Sequence, residues 1–225
     1  MNHSLLLAGG VAASMLSSAL VPALGGGSIG ATSRRYDLDI SPTNAAFGIW
    51  GVIYTLLIAS AVFAAREAVE ARWVMLIAAA QFLTALWVPL FTAEQLVLAC
   101  VVLIGSAVCA LAALAALRSS TTHNESWSLE RYVCVDAATG LFAGWLCCAA
   151  ALSVAIVLKS RDVATPRATL VVLAAVVAIL AAAVRNPVML APVIWLLIMQ
   201  KSHDSEAALA GVVAVGTLVA LLVVR

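Results

Sequence analysis

Charge is what this chain has least of. Asp, Glu, Lys and Arg make up 10% of its 225 residues and hydrophobic residues 64%, whereas a soluble domain carries about 25% charged and roughly 45–50% apolar residues. With a mean hydropathy of +1.11, a water-soluble domain is excluded. The chain is expected to be an integral, multi-pass membrane protein surrounded by lipid; its composition does not say which membrane. A formal net charge of +1 supplies no basic face, so no nucleic-acid partner is expected. No series of charged residues crosses the apolar stretches, which argues against an ion-coupled pump. Histidine is scarce too: His3, His123 and His203 sit at the terminus and in loops. Cys100, Cys109, Cys134, Cys147 and Cys148 lie in apolar stretches without metal-ligand spacing. They read as small, polarisable packing residues, and no metal is expected.

What is present is a succession of apolar runs. A span needs about 20 such residues, and charges punctuate the sequence at that interval, giving eight segments: Leu5–Leu24, Ala45–Ala65, Trp73–Phe91, Leu96–Leu117, Tyr132–Leu158, Ala168–Val184, Val188–Met199 and Ala207–Val224. The predicted fold is therefore all-α, a polytopic transmembrane helix bundle. The seventh segment is the weakest, because the residues between Asn186 and Lys201 are too few to cross a core of about 30 Å at roughly 1.5 Å per residue. It either crosses obliquely or is less regular than its neighbours. The first segment has a rival reading as a cleaved signal peptide, although no basic residue precedes it. Ser41-Pro42, Thr165-Pro166 and Asn186-Pro187 each pair a capping oxygen with a proline suited to a first helical position, and predict helix starts. Lys and Arg divide evenly between the two sets of loops, so orientation stays open.

The stretch from Asp39 to Ala64 carries the strongest local pattern. Phe47, Trp50 and Tyr54 recur at spacings of three and four, which stacks their rings along one helix face. Together with Pro42 they resemble the signature of the translocator protein or tryptophan-rich sensory protein family (TspO/MBR), in which a Trp-x-Pro-Pro loop leads to Phe, Trp and Tyr. Here the loop tryptophan is missing and one proline is present. Gln81 to Trp87 with Phe91 is similar to the family's third helix, Thr84 standing where asparagine is usual. Leu141-Phe142-Ala143-Gly144-Trp145, followed by Ala149 and Ser153, is similar to its fifth. Phe47-Gly48-Ile49-Trp50-Gly51-Val52-Ile53-Tyr54 and Gly144-Trp145 resemble most closely a branch with extra C-terminal helices. The resemblance implies a five-helix core over residues 1–158 and about three additional transmembrane helices over 159–225.

It also implies a function: binding, for sensing or transport, of a planar hydrophobic ligand of the tetrapyrrole or sterol class. The ligand-binding residues expected on this basis are Pro42, Phe47, Trp50, Tyr54, Thr84, Trp87, Phe91, Phe142 and Trp145, with a tetrapyrrole as ligand and no obligatory cofactor. The physical reading is compatible. Gly48, Gly51, Gly140 and Gly144 let backbones approach, and if Trp50, Trp87 and Trp145 converge, their indoles enclose a flat slot in which stacking adds about 0.5–1.5 kcal/mol per pair. Packing alone is the competing reading for Trp50 and Trp145. Trp73, Trp127 and Trp195 read as interfacial belt residues. Asp136, an acid inside an apolar segment but at shallow depth, reads as reaching the headgroup region or pairing with Arg131, in preference to a proton or ligand site. Arg34, Arg35, Asp37 and Asp39 read as a solvated loop face or as a closure over the slot. Two alternatives remain: a structural subunit packing against partner proteins or pigments, in a homodimer or larger assembly, and a tetrapyrrole-degrading enzyme. The missing loop tryptophan argues against the enzyme.

Overall fold

The computed structural model describes residues 3–25, 27–36, 38, 43–119, 128–163, 176–177, 179–180, 183 and 185–199. The described elements are α1 (His3–Ala23), α2 (Ile29–Arg35), a 3-10 turn (Asn44–Gly48) continuing into α3 (Ile49–Arg66), α4 (Ala71–Thr92) and α5 (Leu96–Ser119). The single turn α6 (Leu129–Arg131) follows, then a π-helical stretch (Tyr132–Ala137), α7 (Ala138–Lys159), a second 3-10 turn (Pro187–Leu190) and α8 (Ala191–Ile198). No strand occurs among the described residues. Among the described residues five helices are long and apolar enough to cross a membrane, His3–Ala23, Asn44–Arg66, Ala71–Thr92, Leu96–Ser119 and Leu129–Lys159, and they coincide with the first five predicted segments. Most of Ala168–Val184 and all of Ala207–Val224 lie outside the described residues, as do Ser41-Pro42 and Thr165-Pro166.

α4 packs most extensively against α1 and α5, and α5 in turn against α7. The share of each span buried inside the protein is 61% for the helix ending at Lys159 and 22% for α1, so α7 is the central helix and α1 a peripheral one. Helices in lipid gain little by hiding apolar surface from one another, and are held by close approach and by hydrogen bonds. Both are present. A β-carbon at Gly10 would stand 3.1 Å from Gln81 Cβ, so α1 meets α4 backbone to backbone. Ser106 Oγ donates to Ala80 O at 2.8 Å and stands 2.9 Å from Thr84 Oγ1, joining α5 to α4. Ser60 Oγ donates to Cys134 O across to the π-helical stretch.

Trp73 is no belt residue. It is fully buried, and its Nε1 donates to Thr139 Oγ1 at 2.9 Å, tying α4 to α7. Asp136 also departs from expectation: it is buried within the π-helical stretch, and the cation beside its carboxylate is Arg118, at 4.0 Å, rather than Arg131. The wider turn of a π-helix breaks the regular carbonyl pairing, and Asp136 O accepts from Asn186 Nδ2 at 2.9 Å.

The seventh segment does not span on its own. Its turns run from Pro187 to Ile198, about 18 Å at 1.5 Å per residue, lying against α7 with Met189, Leu190, Val193 and Leu196 buried. Its start is the one the Asn-Pro pair predicts: Asn186 Oδ1 accepts from Val188 N at 3.1 Å and Pro187 takes the first position. Two glycines of α7 admit the segment. A β-carbon at Gly140 would stand 2.5 Å from Asn186 Oδ1, and one at Gly144 would overlap the Met189 carbonyl. Gly48 and Gly51, by contrast, mark no close approach, since a β-carbon there meets nothing within 4 Å among the described residues.

These glycines should respond oppositely to alanine. Gly144→Ala forces backbone apart and should lower stability by about 1–3 kcal/mol. Gly51→Ala, in a helix interior with free space, should raise it by about 0.8–1.0 kcal/mol. Melting in detergent checks this, and a loss at both positions would contradict the packing described.

Candidate functional site

The site begins with the helix starts that aim its rings. The turn Asn44–Gly48 hands the chain to α3, placing Phe47 beside the first helical turn and Trp50 and Tyr54 one turn apart. Trp50 stacks on Tyr54 with centroids 5.2 Å apart and planes at 26°. It meets Trp145 edge to face at 6.2 Å and Phe142 at 6.4 Å. On α4, Trp87 stacks on Phe91 at 5.1 Å. These are the offset and T-shaped geometries that ring quadrupoles favour.

Between the walls lie two adjoining lobes. The larger, of about 370 Å³, reaches Ser18 and Pro22 of α1, Arg34 of α2, Tyr54 of α3 and Thr84 of α4. The smaller, of about 50 Å³, lies toward Phe91, Leu103, Trp145, Ser153 and Ile156. Ile29, Phe47, Trp50 and Trp87 border both, so the two form one cleft. Of the residues expected from sequence, Phe47, Trp50, Tyr54, Thr84, Trp87, Phe91 and Trp145 come together on its walls. Phe142 is fully buried behind Trp50 and supports the wall rather than lining it. Pro42 lies outside the described residues.

The polar groups divide into two kinds. Tyr54 Oη sits 3.0 Å from Ser14 Oγ and 3.4 Å from Ser18 Oγ, and the Thr84 hydroxyl donates to Ala80 O at 2.9 Å. Those groups are satisfied within the bundle. The indole N–H groups of Trp87 and Trp145 are buried and have no acceptor among the described residues. A buried donor without a partner costs about 1–3 kcal/mol, and here two of them belong to the walls of one apolar cleft. The five cysteines are free thiols, and no cluster of metal-ligating side chains occurs among the described residues.

The sequence reading allowed the loop after α1 to close over the slot, but did not foresee a helix within it. The loop after α1 contains α2, capped by Ser28 Oγ accepting from Ala31 N at 3.1 Å, and Ile29 and Ser33 face the cleft. Ile29 in an otherwise polar and glycine-rich loop was the available signal. Arg34 reaches Asn44 Oδ1 at 3.3 Å. Arg35 pairs with Glu94, to which Tyr36 Oη donates at 3.4 Å. Glu94 occupies an unusual place: at φ 60° it fills the left-handed position after α4, with Glu94 N bonding Phe91 O at 3.1 Å and Gln95 N bonding Leu90 O at 2.9 Å. That capping pattern favours glycine, yet here a carboxylate stands where α2 docks. Desolvation, and then the Glu94 charge, hold the Tyr36 phenol above its ordinary pKa.

A polytopic α-helical membrane protein with three indoles converging on one roofed cleft is the class this architecture defines. The family model described as TSPO-like protein matches residues 3–225, and the chain belongs to that family. No curated protein and no solved structure matches it.

Replacing Glu94 by glycine should separate its two roles. The turn after α4 relaxes, so the melting temperature holds or rises, while hydrogen exchange over residues 29–36 increases a few-fold, in keeping with an exposed ion pair worth about 0–1 kcal/mol. The Tyr36 phenol should titrate lower, partway toward its ordinary value, because desolvation persists. Unchanged exchange at 29–36 would dissociate α2 from Glu94.

Proposed function

We propose that this protein binds a flat, hydrophobic ligand of the tetrapyrrole or sterol class in the cleft beneath α2, for sensing or transport. The observation that carries the reading is the convergence of Trp50, Trp87 and Trp145 from three helices on one apolar space, two of them with buried N–H groups lacking an acceptor. Stacking on indoles favours a conjugated plane. The two donors favour a ligand with acceptor atoms along its edge, such as carboxylate, carbonyl or hydroxyl oxygen. Arg34 at the larger lobe places a cation where an acidic substituent would emerge.

The larger lobe falls at the small end of ligand sites, which run from about 300 to 1,000 Å³. A macrocycle therefore fits as α2 moves outward, and the exposed Arg35–Glu94 pair is a weak restraint of the kind a mobile roof needs. Binding rather than breakdown is the activity proposed, since no indole stands at Ile40 or its neighbours in the loop.

Titration with protoporphyrin IX should quench tryptophan emission, and Trp50→Phe should weaken affinity at least about threefold, the loss of one stacked indole being worth about 0.5–1.5 kcal/mol. Under illumination the Soret band should decay no faster than with an inert membrane protein. Unaltered affinity in Trp50→Phe would remove this wall from the site, and a protein-dependent bilin-like product would replace binding by catalysis.

A further inference from the structure

We infer that residues 186–199 form a strap that sets the position of the Phe47–Trp50 wall, with Trp195 as its positioning residue. Its functional consequence rests on the reading of the cleft as a ligand site, while the strap itself stands on separate contacts. At one end it is fixed to the central helix: Asn186 Nδ2 holds Asp136 O at 2.9 Å, and Gly140 and Gly144 leave room for the Asn186 side chain and the Met189 carbonyl. At the other end it grips the turn that delivers the cleft's aromatics. Trp195 Nε1 donates to Ala46 O at 2.8 Å, and Met199 O accepts from Thr43 N at 2.7 Å. Thr43 stands at the N-cap of that turn, where its own N–H precedes any carbonyl the turn could offer, and Met199 O supplies the acceptor.

The Trp195 indole is half-buried against the turn. The residue it holds, Ala46, immediately precedes Phe47, and Trp50 lies one helical turn beyond. A displacement of Ala46 would carry both rings with it. Trp50 also contacts Trp145 at 6.2 Å, and Trp145 follows Gly144, the residue against which the strap lies. α7 therefore fixes the cleft twice, supplying Trp145 directly and setting the opposing wall through the strap. The width of the slot between them follows from that double attachment.

Trp195→Phe keeps an aromatic plane and removes the donor. Trp73→Phe is the matched comparison, because it removes an indole donor to Thr139 away from the turn. Hydrogen exchange should rise about three- to tenfold over residues 43–50 in Trp195→Phe, the range expected for one lost hydrogen bond, with α4 and α5 unaffected. Protoporphyrin IX affinity should fall about threefold or more. Trp73→Phe should lower the melting temperature without either effect. Unchanged exchange at 43–50 in Trp195→Phe, or an equal rise there in Trp73→Phe, would overturn the strap. Should the wild-type protein fail to bind protoporphyrin IX, the ligand reading fails on that result alone, and exchange at 43–50 still decides the strap.

Discussion

The contact on which the rest of the structure depends is the one between the α7 backbone and the Met189 carbonyl at Gly144. In lipid, apolar side chains are as well accommodated facing acyl chains as facing each other, so helix association comes from van der Waals fit and hydrogen bonding. A contact with no room for a β-carbon brings many backbone atoms together at once. It also lets a segment too short to cross the membrane remain among helices that do. Irregular backbone at membrane depth is tolerated where protein covers it and its polar groups are paired. Asn186, the 3-10 turn after it and the π-helical stretch at Tyr132–Ala137 meet that condition by bonding one another.

The hydroxyls of the bundle follow a consistent economy. Ser60, Thr84, Ser106 and Thr139 each spend their hydrogen bonds inside a helix pair, and Tyr54 is shared with two serines of α1. Among the described residues Glu70, Gln81, Trp87 and Trp145 have buried side-chain polar atoms without a partner, and of these Trp87 and Trp145 line the cleft. Buried polar groups in folded proteins are generally paired. Two of these four residues share the walls of one cleft, where a ligand could supply the acceptor.

The helical architecture was legible because charges interrupt the apolar runs at membrane spacing, and helical periodicity places Phe47, Trp50 and Tyr54 together without knowledge of any neighbour. Roles decided by a partner far away in sequence were not legible. Trp73 and Trp195 carry the residue type of an interfacial belt, and sequence does not reveal that their indoles donate to Thr139 Oγ1 and to Ala46 O. Asp136 finds Arg118 instead of its neighbour Arg131 because the π-helical stretch sits within reach of the end of α5. Gly48 and Gly51 belong to the same pattern as Gly140 and Gly144, and nothing in sequence says which pair faces another backbone. The helix in the roof was hidden for a different reason: α2 is short, and the Glu94 that pairs with it stands where glycine is the usual choice.

The pairing of Thr43 with Met199 spans 156 positions of sequence, and this has a consequence for how the molecule is made. α4 and α5 are joined by the short turn Ala93–Gln95, so they can enter the bilayer as a hairpin soon after synthesis, with α1 already present to receive them. The turn at Asn44–Gly48 is made early as well, but its partner carbonyl emerges only after all five long helices. Contacts so distant in sequence close late. The tie between the turn at Asn44–Gly48 and the Met199 carbonyl therefore cannot form before residue 199 has been made, and until then the turn lacks that partner.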